Sequence, residues 1–175
     1  MSKESLTREF TSYGVVKLRD HLGQIQRCAK MLTEVQLWYR ANEKSNSVAN
    51  LLLHLTGNVR QWIIGGIAGR PVDRARQAEF DARGGQTRDE LLGPLEEVIN
   101  EACAVVRTLS EQDLAKEYEI QAYTISGIAA VMHVVEHFAF HTGQIITTTK
   151  WLLNVDLSLY DEQGHRRDGR TEEVP

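Results

Sequence analysis

Cysteine and proline are scarce in this 175-residue chain, with two of one and three of the other. Two thiols, Cys28 and Cys103, are too few for a disulfide framework or a cysteine zinc knuckle. An excess of either charge is also missing. Twenty basic side chains face 24 acidic ones, for a net charge of −4, so there is no basic footprint of a nucleic-acid binder. Long apolar runs are absent too. A membrane-spanning helix needs roughly 18–20 apolar residues, and the longest apolar stretch, Ile125 to Val135, is broken by Ser126, Gly127 and His133. The first residues, MSKESLTREF, lack the apolar segment of a secretory signal. With unpaired thiols suited to a reducing compartment, a cytoplasmic protein with no membrane and no nucleic-acid partner is expected. Hydrophobic residues at 42% and charged residues at 25% match an ordinary globular protein. One domain over residues 1–160 is expected, followed by a polar, flexible tail over 161–175.

Few helix breakers leave room for long helices. Apolar residues at Phe10, Tyr13, Val16, Leu22, Ile25 and Ala29 recur at spacings of three and four, which predicts a helix from about Lys3 to Met31. Leu32 to Asn46 reads as a connection carrying the aromatic pair Trp38 and Tyr39. A second helix starts at an N-cap on Ser45 or Ser47. It runs through Val48, Leu51, Leu52, Leu55, Val59, Trp62 and Ile63 to a stop at Gly65-Gly66 or Gly69, before Pro71. A connection of more than 20 residues follows, to Thr87. In a four-helix bundle such a length allows two successive helices to run parallel. The third helix opens on a capping box, Thr87 with Glu90, and continues to about Leu109. Pro94 predicts a shifted start or a kink there. Ser110 to Asp113 is another cap-like cluster, and Tyr118 to Tyr123 alternates like a short extended piece. The fourth helix starts near Thr124 or Ser126 and runs to about Leu153. The class is all-α.

Three of the six histidines fall within nine residues of the fourth helix, at His133, His137 and His141. Four residues advance the helical wheel by a full turn and about 40°, so the three form one slanting row. Two histidines at that spacing can share one metal ion. The whole row cannot, because eight residues rise about 12 Å. On the wheel His141 lies nearest the apolar arc, His137 next and His133 furthest out. That order favours His137 and His141 as the ligand pair, with His133 orienting a ligand or facing substrate. A catalytic site of this kind takes three protein ligands and leaves a position open. The third candidate is His54, on the flank of the second helix's apolar stripe, with His21 as runner-up. His165 sits in the polar tail and makes a poor ligand.

Other signals carry less. A lone histidine beside an apolar face is most often a hydrogen-bonded structural residue, and a histidine row can also serve as a pH-sensitive interface. No His-Glu-x-x-His occurs, so the zincin general base is missing, and the fourth helix holds no Glu-x-x-His of the kind a di-iron bundle needs. Gly65 to Arg70 lacks the Gly-Lys-Ser/Thr ending of a phosphate loop. The cluster Arg70, Arg74, Arg76 and Arg83, alternating with Asp73, Glu79 and Asp81, reads as a solvated loop. Cys28 and Cys103 read as small buried hydrophobes.

Two runs carry a family resemblance. Ser45-Asn-Ser-Val-Ala-Asn-Leu-Leu-Leu-His54-Leu-Thr-Gly-Asn-Val-Arg60 resembles the second helix of DinB-like proteins. His133-Val-Val-Glu-His137-Phe-Ala-Phe-His141-Thr-Gly-Gln144-Ile resembles the last helix of the same superfamily. Thr149-Lys150 and Asp156 to Tyr160 are similar to the end of one uncharacterised bacterial branch, so the likeness covers roughly residues 5 to 160. It implies a four-helix bundle in up-down-down-up order, with the long crossover between helices 2 and 3, and assembly as a homodimer. It implies a three-histidine site for zinc, nickel or iron, carried by motif onto His54, His137 and His141. His133, Gln144 and Asn58 would then orient ligands or a small-molecule substrate. Some relatives transfer or depend on a low-molecular-weight thiol, which makes such a thiol a candidate co-substrate. The functional expectation is a metal-dependent transferase, hydrolase or isomerase. Its rival is a non-enzymatic dimeric bundle that binds a metal or small ligand as a sensor or scaffold.

Overall fold

The structure is a computed structural model that describes residues 3–163. Four long helices dominate it: α1 (Lys3–Met31), α3 (Val48–Val59), α5 (Arg88–Arg107) and α7 (Gly127–Leu153). Shorter helices α2 (Glu34–Leu37), α4 (Arg76–Asp81) and α6 (Glu111–Ala115) lie in the connections. So does a hairpin of β1 (Glu117–Ile120) and β2 (Tyr123–Ser126), paired antiparallel with Glu117 opposite Ser126 and Ile120 opposite Tyr123. The expected extended piece before the last helix is therefore a complete two-stranded hairpin. His165 and most of the expected polar tail lie outside the described residues. Among the described residues no helix is long and apolar enough to cross a membrane.

Side-chain caps start several of the helices. Ser47 caps α3 in a reciprocal box with Asn50, Thr87 caps α5 with Glu90, Ser110 caps α6 with Asp113, and Ser126 accepts from the Ala129 amide at the head of α7. Such boxes satisfy backbone donors that the first turn leaves without helical partners. Pro94 lies inside α5, whose start is not shifted. The proline removes the amide that would serve the Glu90 carbonyl, a local cost that the packed face of α5 carries.

The contacts fix the directions. The Arg88 guanidinium at the head of α5 donates to the carbonyls of Ala29 and Leu32 at the end of α1, so α1 and α5 are antiparallel. Gly14 lies against Val131, and Arg27 donates to the Leu157 carbonyl just past α7, so α1 and α7 run parallel. His54 meets His137 while Asn58, further along α3, meets His133, earlier in α7; these two helices are antiparallel. The order is up-down-down-up, and the long connection is the crossover between α3 and α5. The core between the helices holds Leu18, Ile25, Leu52, Leu55, Leu95, Ile99, Phe138 and Ile145, all fully buried. Cys28 and Cys103 are buried among them as free thiols.

The second helix does not stop at Gly65-Gly66. It continues past Val59 as a π-helical segment, Arg60–Ile67, and turns only at Gly69, where φ is +66°. A wider helix of this type is uncommon and concentrates at functional sites. The hairpin explains the glycine inside it. A β-carbon on Gly66 would sit 2.4 Å from the Ile120 side chain, so a larger residue would drive the hairpin off the segment.

Candidate metal centre

Helix α3 supplies His54, and α7 supplies His137 and His141 one turn apart. One ring nitrogen from each lies within 4.8 Å of the other two. The Nε2 atoms of His54 and His137 are 2.8 Å apart, within hydrogen-bonding distance. Ring centroids of His137 and His141 lie 4.4 Å apart, nearly perpendicular. His54 is 4% and His141 8% exposed, while His137 is half-buried.

Each end ligand is held from behind. His54 Nδ1 lies 2.9 Å from Glu79 Oε2, and His141 Nδ1 lies 2.7 Å from Gln144 Oε1. A carboxylate and an amide oxygen can only accept, so in both rings Nδ1 carries the proton and Nε2 turns inward. Three imidazoles with converging ring nitrogens, two of them held at Nδ1, form the donor set that zinc, nickel or iron accepts. By that chemistry the residues present fit a divalent ion.

Burial and the neighbouring imidazoles disfavour the charged form of His137 and His141. The His137 pKa is pushed down from 6.5 to about 3, first by burial, then by His141, His54 and His133 and by the Arg74 charge. Burial also lowers His133 and His141, the latter against the opposing pull of Gln144. The linkage has a definite sign. Between pH 6.5 and about 3 the unfolded chain binds a proton at His137 that the folded chain refuses, so stability present above pH 6.5 drains away as pH falls. Urea unfolding of metal-free protein at pH 7, 5.5 and 4 should show a steeper loss for wild type than for His137→Gln. Parallel losses would mean that the fold does not resist protonation there.

The other candidates are distributed as follows. His133 stacks on Trp62 with centroids 3.9 Å apart and continues the stack to His137 at 5.5 Å. Asn58 Nδ2 lies 3.5 Å from His133 Nε2, and the buried Asn58 Oδ1 and Trp62 Nε1 make no hydrogen bond among the described residues. His21 stays on α1 and does not join the cluster. Beside His141 a groove of about 620 Å³ is lined by Lys44, Ser45, Leu51, Phe140, Gln144 and Thr147.

The crossover holds the residues that sequence reasoning missed. Arg74 and Glu79 are not part of a solvated loop: their side chains are 6% and 11% exposed. Arg74 grips both carboxylate oxygens of Glu79, through Nε at 2.7 Å and Nη2 at 2.8 Å. Burial pushes the Glu79 carboxyl up, but the hydrogen bonds and charges of Arg74 and His54 outweigh it and hold the group below the usual range. Phe80, next in α4, packs on the His54 ring at 4.7 Å. The usable signals were the length of the connection, which marks functional loops, and the need of a ligating histidine for a partner at its second nitrogen.

A family of proteins of unknown function, DUF1572, matches residues 5–160. The chain belongs to the DUF1572 family. No functionally curated protein matches it. Among solved structures, this DUF1572 chain is similar to YfiT from Bacillus subtilis at 18% identity, over 89% of this chain and 91% of that one, with a TM-score of 0.68. YfiT is described as a probable metal-dependent hydrolase with an unusual four-helix bundle topology. The DinB-like protein YjoA from Bacillus subtilis matches at 17% identity over 88% and 99% of the two chains, with a TM-score of 0.64. A mycothiol-dependent maleylpyruvate isomerase matches at 13% identity over 77% and 60%, with a TM-score of 0.61. At these identities the likeness establishes the four-helix-bundle fold and nothing finer.

Proposed function

We propose that this DUF1572 protein is a metal-dependent enzyme acting on a small molecule, with His54, His137 and His141 holding one divalent ion. The convergence of three imidazoles, each end one oriented through Nδ1, carries the reading. A bound ion of this kind lowers the pKa of a thiol or water that joins it, which supplies a nucleophile near neutral pH. The chain's own residues do the rest. His133 and Trp62 wall the site on the hairpin side, and Gln144 steadies His141 while lining the groove beside it. Lowered pKa values hold His137 and His141 in the neutral form that ligates. The metal-dependent hydrolase and thiol-dependent isomerase among the structural relatives support a reaction of the S-transferase, hydrolase or isomerase class, with a low-molecular-weight thiol as co-substrate. Zinc, nickel and iron all suit the donor set.

A second reading rests on a specific observation. Glu79, the carboxylate that touches the cluster, is committed to Arg74 and His54 and is not free to act as a general base. A non-enzymatic metal-binding bundle needs no such base. Both readings place the protein in the cytoplasm as a homodimer, with the exposed Ile128, Met132, Phe140 and Trp151 of α7 as its apolar contact face. Light scattering on purified protein tests the dimer. The enzyme reading expects close to one equivalent of divalent metal in protein purified without a polyhistidine tag. It also expects metal-dependent consumption of a thiol against a panel of electrophiles. Full metal content with no turnover across the panel would favour the non-enzymatic bundle.

A further inference from the structure

We propose that Glu79, gripped by Arg74, is the positioning residue for His54 and sets the affinity of the three-imidazole cluster for its ion. The proposal rests on the metal reading above. Glu79 Oε2 accepts from His54 Nδ1 at 2.9 Å and from Arg74 Nη2 at 2.8 Å, and Oε1 accepts from Arg74 Nε at 2.7 Å. Arg74 Nη2 also lies 3.2 Å from His54 Nδ1, but the carboxylate has no proton to give, which fixes Nδ1 as a donor. The ring is thereby left with Nε2 toward His137. A carboxylate at this place fixes the tautomer and orientation of a ligating imidazole and raises its basicity.

The surroundings are built for this contact. An Arg–Glu pair this buried is a poor device for stability, because desolvation offsets its attraction. Charge balance does not need His54 either, since Arg74 already neutralises Glu79. The added hydrogen bond has orientation as its remaining use. Asn50 anchors α4 by donating to the carbonyls of Glu79 and Ala82 at 2.8 and 3.0 Å. Gly57 leaves the space: a β-carbon there would fall 2.1 Å from Glu79 Oε1 and 2.7 Å from Arg74 Nε. Arg74 Nη1 donates to Gln61 Oε1 on the π segment, which also accepts from Gln121 of the hairpin turn. The orientation of one ligand is thus tied to the crossover, the π segment and the hairpin together.

The test uses the full chain labelled with ¹⁵N-histidine. In metal-free wild type the His54 Nδ1 should carry the proton, and Glu79→Ala should abolish that preference. Competition with a chromophoric chelator should show Zn²⁺ affinity falling by about 10–100-fold in Glu79→Ala, the usual effect of losing such a partner. Glu79→Gln should fall less, because its amide oxygen still accepts from Nδ1. Since Glu79→Ala strands a buried guanidinium, the pair Arg74→Met with Glu79→Leu serves as the folded control; it should keep the fold and still lose affinity. An unprotonated Nδ1 in wild type, or wild-type affinity in the folded double variant, would overturn the proposal. If wild type itself binds Zn²⁺ no better than His137→Ala, the metal reading fails and takes the affinity claim with it. The Nδ1 signal still decides the orientation claim.

Discussion

Replacing His137 with alanine should lower the affinity for Zn²⁺ by at least a hundredfold while leaving the metal-free bundle folded. His137 contacts both other ligands, its Nε2 2.8 Å from that of His54 and its ring 4.4 Å from that of His141. Its removal leaves two nitrogens contributed by different helices. Structural zinc sites bind with roughly 10–16 kcal/mol over four ligands, so one ligand is worth on the order of 3 kcal/mol or more, a factor above about 100. The fold should tolerate the change because His137 is half-buried and packs against other site residues. Chelator competition measures the affinity and circular dichroism the fold. Wild-type affinity in the folded variant would remove His137 from the site.

One residue further along α7 the expectation reverses. Phe138→Ala should destabilise the protein by about 3–5 kcal/mol, as expected for a phenylalanine truncated in a packed core. Phe138 is fully buried and among the largest side chains in the core. For a chain of this size the loss corresponds to a fall in melting temperature of roughly 10 °C or more. The metal affinity of the folded fraction should hardly change, since no nitrogen of the cluster is touched. Adjacent substitutions then separate the site from the scaffold, and calorimetry with chelator competition on both variants reads the difference. A Phe138→Ala protein that melts with wild type would mean that the core repacks around the gap.

Much of this architecture was legible in the residues because it is local chemistry. Ser47 with Asn50, Thr87 with Glu90 and Ser110 with Asp113 are short-range caps, and a short-range rule finds them. The α7 histidine row is a matter of spacing on one helix. His54 was reachable by its place beside an apolar stripe and by family motif. Glu79 was not, since nothing local distinguishes it from Asp73 or Asp81. Its role comes from the crossover, which brings α4 back over Gly57, and only tertiary packing puts a carboxylate there. The π segment escaped for a related reason. Its Gly65-Gly66 looks like a helix stop, but Ile120 of the hairpin packs on Gly66 and the helix runs on.

The contact between His54 and His137 joins residues 83 apart in sequence. A metal ion held across that gap would be a reversible cross-link between two helices, whatever else it did. Closing a loop of that length removes roughly 4.5 kcal/mol of chain entropy from the unfolded state by the relation used for disulfides. A chain with only two cysteines, both buried as free thiols, would thus carry its staple as an exchangeable ion. Its resistance to unfolding would follow the metal supply of the cell.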